Sequence, residues 1–226
     1  FRTAVREYYL GVLINQLLPG GIAGDVSRAW RLARSSAPTG RAVRAVVLER
    51  ASAQVVMTTV ALTSLLFLPI GSGLARALTA GIGLLAVGGV LLVGLRRATP
   101  TSIAGQTWLD MRRAFFNAKA LPVQLLTAIS VAGLYIILYL ITSRAVGVTT
   151  PMPQLLPLVA PVLMAMLIPF TVAGWGVREG VAAMLWSLVG LTPEEGVAIS
   201  VAYGLLVLVS TIPGVPILIL TLTEAR

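Results

Sequence analysis

Two hydrophobic stretches of this chain are broken by the same pattern of residues, 150 positions apart. The first copy runs Leu18-Pro19-Gly20-Gly21-Ile22-Ala23-Gly24-Asp25-Val26-Ser27-Arg28, and the second Ile168-Pro169-Phe170-Thr171-Val172-Ala173-Gly174-Trp175-Gly176-Val177-Arg178. Proline and glycine interrupt a helix and free backbone groups that hydrocarbon cannot satisfy. At membrane depth such backbone is tolerated only where it is buried in protein or lines a wet cavity. Interruptions at corresponding places in two halves point to a transporter-type substrate site. In both copies a short apolar stretch follows, then a Pro-led turn (Pro38, Pro193), then a long apolar helix.

The medium in which such a chain folds follows from its composition. Hydrophobic residues make up 57% and charged residues 11%, with a mean hydropathy of +0.93. A soluble domain carries about 25% charged residues, so this is an integral membrane protein. The net charge of +9 does not point to nucleic acid, because the basic residues gather beside the ends of apolar runs, as in cytoplasmic membrane loops. No Cys and no His are present, which removes disulfides, thiolate nucleophiles, Cys/His metal sites and imidazole acid–base chemistry. No nucleophile elbow, nucleotide-type phosphate loop or acidic metal cluster stands out, so neither a cofactor nor a catalytic residue is expected.

Four segments are long enough to span a core of ~30 Å at ~1.5 Å per residue: Arg44–Leu68, Leu78–Leu95, Val123–Ile141 and Val197–Leu222. Tyr8–Leu18 and Leu155–Ile168 stop at the repeated motif and resume as Val26–Ala33 and Val181–Val189, which predicts two re-entrant helical hairpins. An ordinary kinked helix is the competing reading. Trp108, Met111 and Phe115 have the spacing of an amphipathic helix on the cytoplasmic face, or of a plain linker. The arginines from Arg28 to Arg50 place that loop in the cytoplasm. The nearly uncharged loop near Arg144–Gln154 and the acidic turn Thr192-Pro193-Glu194-Glu195 lie outside. The two motif copies then have opposite orientation. The expected fold is all-α, a polytopic membrane protein with an inverted repeat. It forms one transmembrane domain over residues 1–226, and the repeat unit implies about two further helices upstream of Phe1.

Asp25, Glu49 and Glu179 each lie near an arginine in sequence: Arg28, Arg50 and Arg178. Charge at the bilayer centre costs roughly 2.5–3.5 kcal/mol, so these groups face a cavity or one another. Ion pairing that pins the hairpins and direct contact with substrate both fit. Gly20, Gly21, Gly24, Gly174 and Gly176 allow close backbone approach and exposed N–H groups at half-helix N-termini, or tight helix packing. Two such termini, each with an Arg, suggest an anionic group such as a lipid phosphate near the midplane.

The run Asn15-Gln16-Leu17-Leu18-Pro19-Gly20-Gly21, with Gly24-Asp25 and Arg28, resembles the N-x-x-L-P-G-x-x-G-G-D-x-x-R region of the lysylphosphatidylglycerol synthase/flippase-like transmembrane family. Glu49-Arg50 resembles the E-R pair that family carries one helix later. Gly174-Trp175-Gly176-Val177-Arg178-Glu179-Gly180 resembles its late G-x-G-V-R-E-G motif, and Leu191-Thr192-Pro193-Glu194-Glu195 the turn after it. Ala23 stands where the family usually has Gly. The resemblance covers nearly the whole chain in order, and implies a polytopic domain that moves or modifies membrane lipids. Bifunctional members carry a soluble aminoacyltransferase domain after the membrane domain. This chain runs only to Arg226, so lysyl transfer by it is not expected.

The expected function is therefore a flippase or transporter for a lipid or lipid-linked substrate, in the cytoplasmic (inner) membrane of a prokaryotic cell. The expected substrate-binding residues are Asn15, Pro19, Gly20, Gly21, Gly24, Asp25, Arg28, Glu49, Arg50, Gly174, Gly176, Arg178 and Glu179. The alternatives are the non-catalytic membrane half of a lipid-modifying synthase or glycosyltransferase system, with the enzyme as partner, and an ion-coupled transporter of a small anion.

Overall fold

The computed structural model describes residues 2–18, 21–35, 38–68, 81, 105–106, 109–110, 121–167 and 171–224. They form α1 (Arg2–Leu17), α2 (Ala23–Ser35), α3 (Thr39–Ser64), α4 (Leu121–Ala145), α5 (Met152–Met164), α6 (Val177–Leu188), α7 (Pro193–Ser210) and α8 (Gly214–Glu224). Single 3-10 turns extend α3 over Leu65–Phe67 and α5 over Ala165–Leu167. The protein is all-α among the described residues. Among the described residues three helices, α3, α4 and α7, are long and apolar enough to cross a membrane.

Proline sets the helix starts. The carbonyl of Pro38 accepts the N–H groups of Arg41 and Ala42 at 2.8 and 3.1 Å, opening α3. Pro193 occupies the first turn of α7, where its missing N–H costs nothing, and Glu194 and Glu195 complement the helix dipole there. The helix over Arg44–Leu68 is present and starts slightly earlier, and that over Val123–Ile141 is longer by a few residues at each end. Leu78–Leu95 lies outside the described residues apart from Gly81. So does the segment around Trp108, Met111 and Phe115, apart from Gly105, Gln106, Leu109 and Asp110.

The expected last span, Val197–Leu222, is two helices rather than one. Pro213 has no N–H to continue the ladder. The chain tightens there into three-residue turns, with Thr211 N–H on Leu208 O at 3.0 Å and Ile212 N–H on Val209 O at 3.1 Å. Beyond the break α8 packs on α1. A Cβ on Gly214 would sit 2.7 Å from the Tyr9 carbonyl oxygen, so only glycine fits the crossing. Further along, Arg6 Nη2 donates to Thr221 Oγ1 at 3.1 Å, which makes α1 and α8 antiparallel.

The first motif copy lies between two helices that fold back on one another. Arg31 of α2 pairs with Glu7 of α1, and Gly24 abuts Gly11, so α1 and α2 run antiparallel. In the second copy Gly174 packs against Met166, at the end of α5, and α6 then runs antiparallel to α7. The strongest core lies in this second half. Leu158, Val159 and Val162 of α5, Trp186 of α6, and Ile199 and Tyr203 of α7 are all buried together. The helix α2 is amphipathic in the reverse sense of a soluble helix. Val26 and Trp30 are exposed, while Asp25, Arg28 and Arg31 turn toward α1 and α3. That arrangement suits a helix with lipid on its outer face, because the charges keep partners inside the protein.

Candidate functional site

Charged side chains of the first copy pair across helices rather than along the sequence. Arg28 of α2 reaches Glu49 of α3, with Nη2 to Oε2 at 3.1 Å and Nη1 to Oε1 at 3.4 Å. Arg50 of α3 reaches back to Asp25 of α2. The i,i+3 spacing of Asp25 and Arg28 puts both on the face toward α3. They bind the Arg50 and Glu49 of that helix, not each other. Two further pairs extend this network: Arg31 Nε to Glu7 Oε2 at 2.7 Å, and Arg44 Nε to Asp110 Oδ2 at 2.8 Å.

The second copy is sealed. Arg178 is 1% exposed, and its Nη2 donates to Glu179 Oε1 at 2.7 Å. Its Nε donates to Ser200 Oγ of α7 at 2.8 Å, and Ser200 in turn donates to Glu179 Oε1 at 3.0 Å. The guanidinium carbon lies 5.2 Å from the ring centre of Trp175 and 5.5 Å from that of Tyr203, within cation–π range. Glycine at 204 makes room for this, since a Cβ there would meet Trp175 at 2.9 Å and press on Arg178 Nη2. By contrast the Arg28 side chain is 30% exposed and that of Glu49 63%.

The two helix N-termini expected to attract an anion are already occupied from within. At α2, Asn15 Oδ1 accepts the Gly24 N–H at 2.7 Å, and Asp25 lies in the first turn. At α6, Glu179 Oε2 accepts the Gly176 N–H at 2.6 Å. Each terminus therefore holds a carboxylate where an external anion would otherwise gain from the dipole and free N–H groups. Nor are the two breaks alike. Arg178 is the second residue of α6, whereas Arg28 lies a turn and a half into α2. Among the described residues, Ala173 (φ 52°), Gly174 (φ 81°) and Gly176 (φ 85°) enter the left-handed region in the second copy, and Gly21 (φ 58°) does so in the first.

Most of the expected site residues fall into these two groups. Asn15, Gly21, Gly24, Asp25, Arg28, Glu49 and Arg50 meet where α1, α2 and α3 join, with Gly21 beside the Arg50 guanidinium. Gly174, Gly176, Arg178 and Glu179 meet at the start of α6. Pro19 and Gly20 lie outside the described residues. Gly24 and Gly174 act as packing glycines: a Cβ on Gly24 would lie 2.9 Å from Asn15 Oδ1, and one on Gly174 2.9 Å from Met166 Cα. Ser200 and Tyr203 were missed, though a signal existed. The 150-residue offset carries Glu49-Arg50 onto Ile199-Ser200, so Ser200 stands at the position of Arg50 but contacts the motif arginine, whereas Arg50 contacts Asp25.

A cavity of about 480 Å³ adjoins the first group, with Glu49, Arg41 and Asp110 on one wall and Gln124 and Thr127 of α4 on the other. No cluster of metal-ligating side chains occurs among the described residues. Comparison with curated proteins and with solved structures gives no match. Comparison with protein families matches residues 1–214 to the lysylphosphatidylglycerol synthase TM region. With nearly the whole chain covered and its helices built to span a bilayer, the protein belongs to that family, an integral membrane domain associated with lipid modification or transport.

Proposed function

We propose that this protein is a flippase: it moves a phospholipid or lipid-linked substrate across the bilayer, and a phosphate of the headgroup is handled by the arginine–carboxylate network of α2 and α3. The observation that supports this is the open Arg28–Glu49 pair beside a cavity of headgroup size, with Asp25–Arg50 one helical turn away. The carboxylates Asp25 and Glu49 occupy the arginines in the empty state, and a phosphate competes for the same guanidinium forks. Arg178 contributes differently. Its donors are held by Glu179 and Ser200, so it braces the second hairpin and meets substrate only if Glu179 swings away.

The two hairpins are re-entrant and oppositely oriented in this reading, forming an inverted repeat. The chain carries no chemistry of its own and resides in the cytoplasmic membrane of a prokaryote. The deciding experiment reconstitutes the protein in vesicles and follows loss of fluorescence of acyl-labelled phosphatidylglycerol on adding a membrane-impermeant quencher. Translocation above that of protein-free vesicles is expected. In Arg28→Gln it falls about ten- to a hundredfold, the effect of one charge-assisted contact. Translocation no faster than in protein-free vesicles defeats the reading. A second reading is favoured by the family's description as part of a synthase: a non-catalytic membrane half that presents lipid to an enzyme on another polypeptide. Co-purification of a soluble lipid-modifying enzyme, with no translocation by the membrane protein alone, would select it.

A further inference from the structure

We infer that the seam between α3 and α4 is the track along which a lipid headgroup crosses the protein, and that Ala53, Ala128 and Val131 form its neck. This rests on the lipid-translocation reading and adds the route to it. Two cavities adjoin along this seam, and a third opens further along α3, between it and α5. The first, about 480 Å³, is bounded on α3 by residues from Arg41 to Ala53 and on α4 by Gln124 to Val131. The second, about 240 Å³, continues from Ala53 to Met57 on α3 and from Ala128 to Tyr135 on α4. The third, about 520 Å³, takes over at Thr59 and runs to Phe67, with Ile136 of α4 and part of α5 as its other wall. Ala53, Ala128 and Val131 line both the first and the second, so these two adjoin at small side chains.

The geometry has the length that a crossing needs. From Arg41 to Ser64 the helix α3 rises about 35 Å at ~1.5 Å per residue, more than the ~30 Å of a hydrocarbon core. The lining stays partly polar along that rise. Charged groups give way to Gln16, Gln54, Tyr135 and Tyr203 in the middle cavity, and then to the hydroxyls of Thr59, Thr63 and Ser64. The middle cavity is smaller than the ~300–1,000 Å³ of ordinary ligand pockets. A headgroup fits there and a whole lipid does not, so the acyl chains stay outside the seam, in the bilayer. The first half of α4 permits this. Its buried residues are Ala132, Tyr139, Thr142 and Ser143, whereas Val123, Leu126 and Ile129 are exposed.

The native chain has no cysteine, so a single Ala128→Cys substitution creates one modifiable position at the neck. The protein carrying it is reconstituted in phosphatidylglycerol/phosphatidylcholine vesicles and treated with a benzyl methanethiosulfonate. Translocation of acyl-labelled phosphatidylglycerol is measured before treatment, after it, and after reduction. The thiol should react, the rate should fall about tenfold or more, and a reducing agent should restore it, which an unfolded protein would not do. The control is Leu188→Cys, at the exposed end of α6 and away from all three cavities, whose modification should leave the rate unchanged. An Ala128→Cys thiol that does not react, or a modified protein that translocates at the untreated rate, overturns the track while leaving lipid translocation standing. Absence of translocation in the unmodified protein overturns both.

Discussion

Replacing Glu179 by Gln and replacing Glu49 by Gln remove the same charge from sequence-matched arginine sites, yet their costs should differ greatly. Arg178 is 1% exposed and Glu179 side-chain exposure is 13%, with the ion pair at 2.7 Å. Removing the carboxylate charge leaves a guanidinium in a dry interior with only Ser200, a thioether and two ring faces around it. Breaking a buried pair in this way costs about 3–5 kcal/mol. Glu49 is mostly exposed on the wall of an open cavity, and such a pair contributes about 0–1 kcal/mol. The expected difference is about 2–5 kcal/mol, or roughly thirty- to several-thousandfold in the unfolding equilibrium at ~1.4 kcal/mol per decade. Reversible unfolding in mixed micelles, followed by circular dichroism, measures both variants. The cycle closes with Arg178→Met combined with Glu179→Gln, which removes the stranded charge and should recover part of the loss. If Glu179→Gln is as mild as Glu49→Gln, or the double variant is worse than the sum of the singles, the sealed-pair argument is wrong.

Gly24→Ala should destabilise the α1–α2 hairpin by about 1–3 kcal/mol, because the added Cβ meets Gly11 backbone and Asn15 Oδ1; the same micelle unfolding assay reads it, and a neutral outcome would contradict the close crossing. Asn15→Ala should cost about 0.5–2 kcal/mol by freeing the Gly24 N–H at the start of α2, and Asn15→Asp should recover most of it. Gly204→Ala should dislodge the Arg178 side chain, so its unfolding cost should shrink when Arg178 is already Met; an undiminished cost would mean that the clash lies elsewhere. Single cysteines at the exposed Thr39 and Thr192 should react with impermeant maleimide from opposite sides of the membrane, the first from the cytoplasm; labelling of both from one side would remove the inverted repeat.

The fold was legible wherever Pro or Gly decides it. Gly21 and Pro38 flank α2, Pro193 opens α7, and the paired motifs fall between successive helices, because Pro and Gly act on the backbone directly whatever surrounds them. Pro213 carried the same signal inside Val197–Leu222. It was outweighed by the hydropathy of the segment, which stays high through both α7 and α8 and does not register a change of direction. Pairing was less legible than placement. Neighbouring Arg and Glu in sequence suggested three local pairs, but only Arg178–Glu179 is local. Glu49 and Arg50 project from successive positions on α3, so each meets a different partner on α2.

Two arginines identical in motif position thus have opposite surroundings, and the cause lies in the helix breaks. In the first copy α2 begins at Ala23, so Arg28 is carried a turn and a half along the helix to an open edge. In the second, three left-handed residues delay the helix until Val177, so Arg178 stays at the helix mouth, under Trp175 and against α7. A repeat in sequence therefore need not give two equal binding sites. The polar lining of α3 was hidden for a related reason. Gln54, Thr59, Thr63 and Ser64 are each the kind of residue that a spanning helix tolerates singly, and they draw no stripe at the 3.6-residue period. Gln54 lines the second cavity and Thr59, Thr63 and Ser64 the third, which α5 rather than α4 mainly closes.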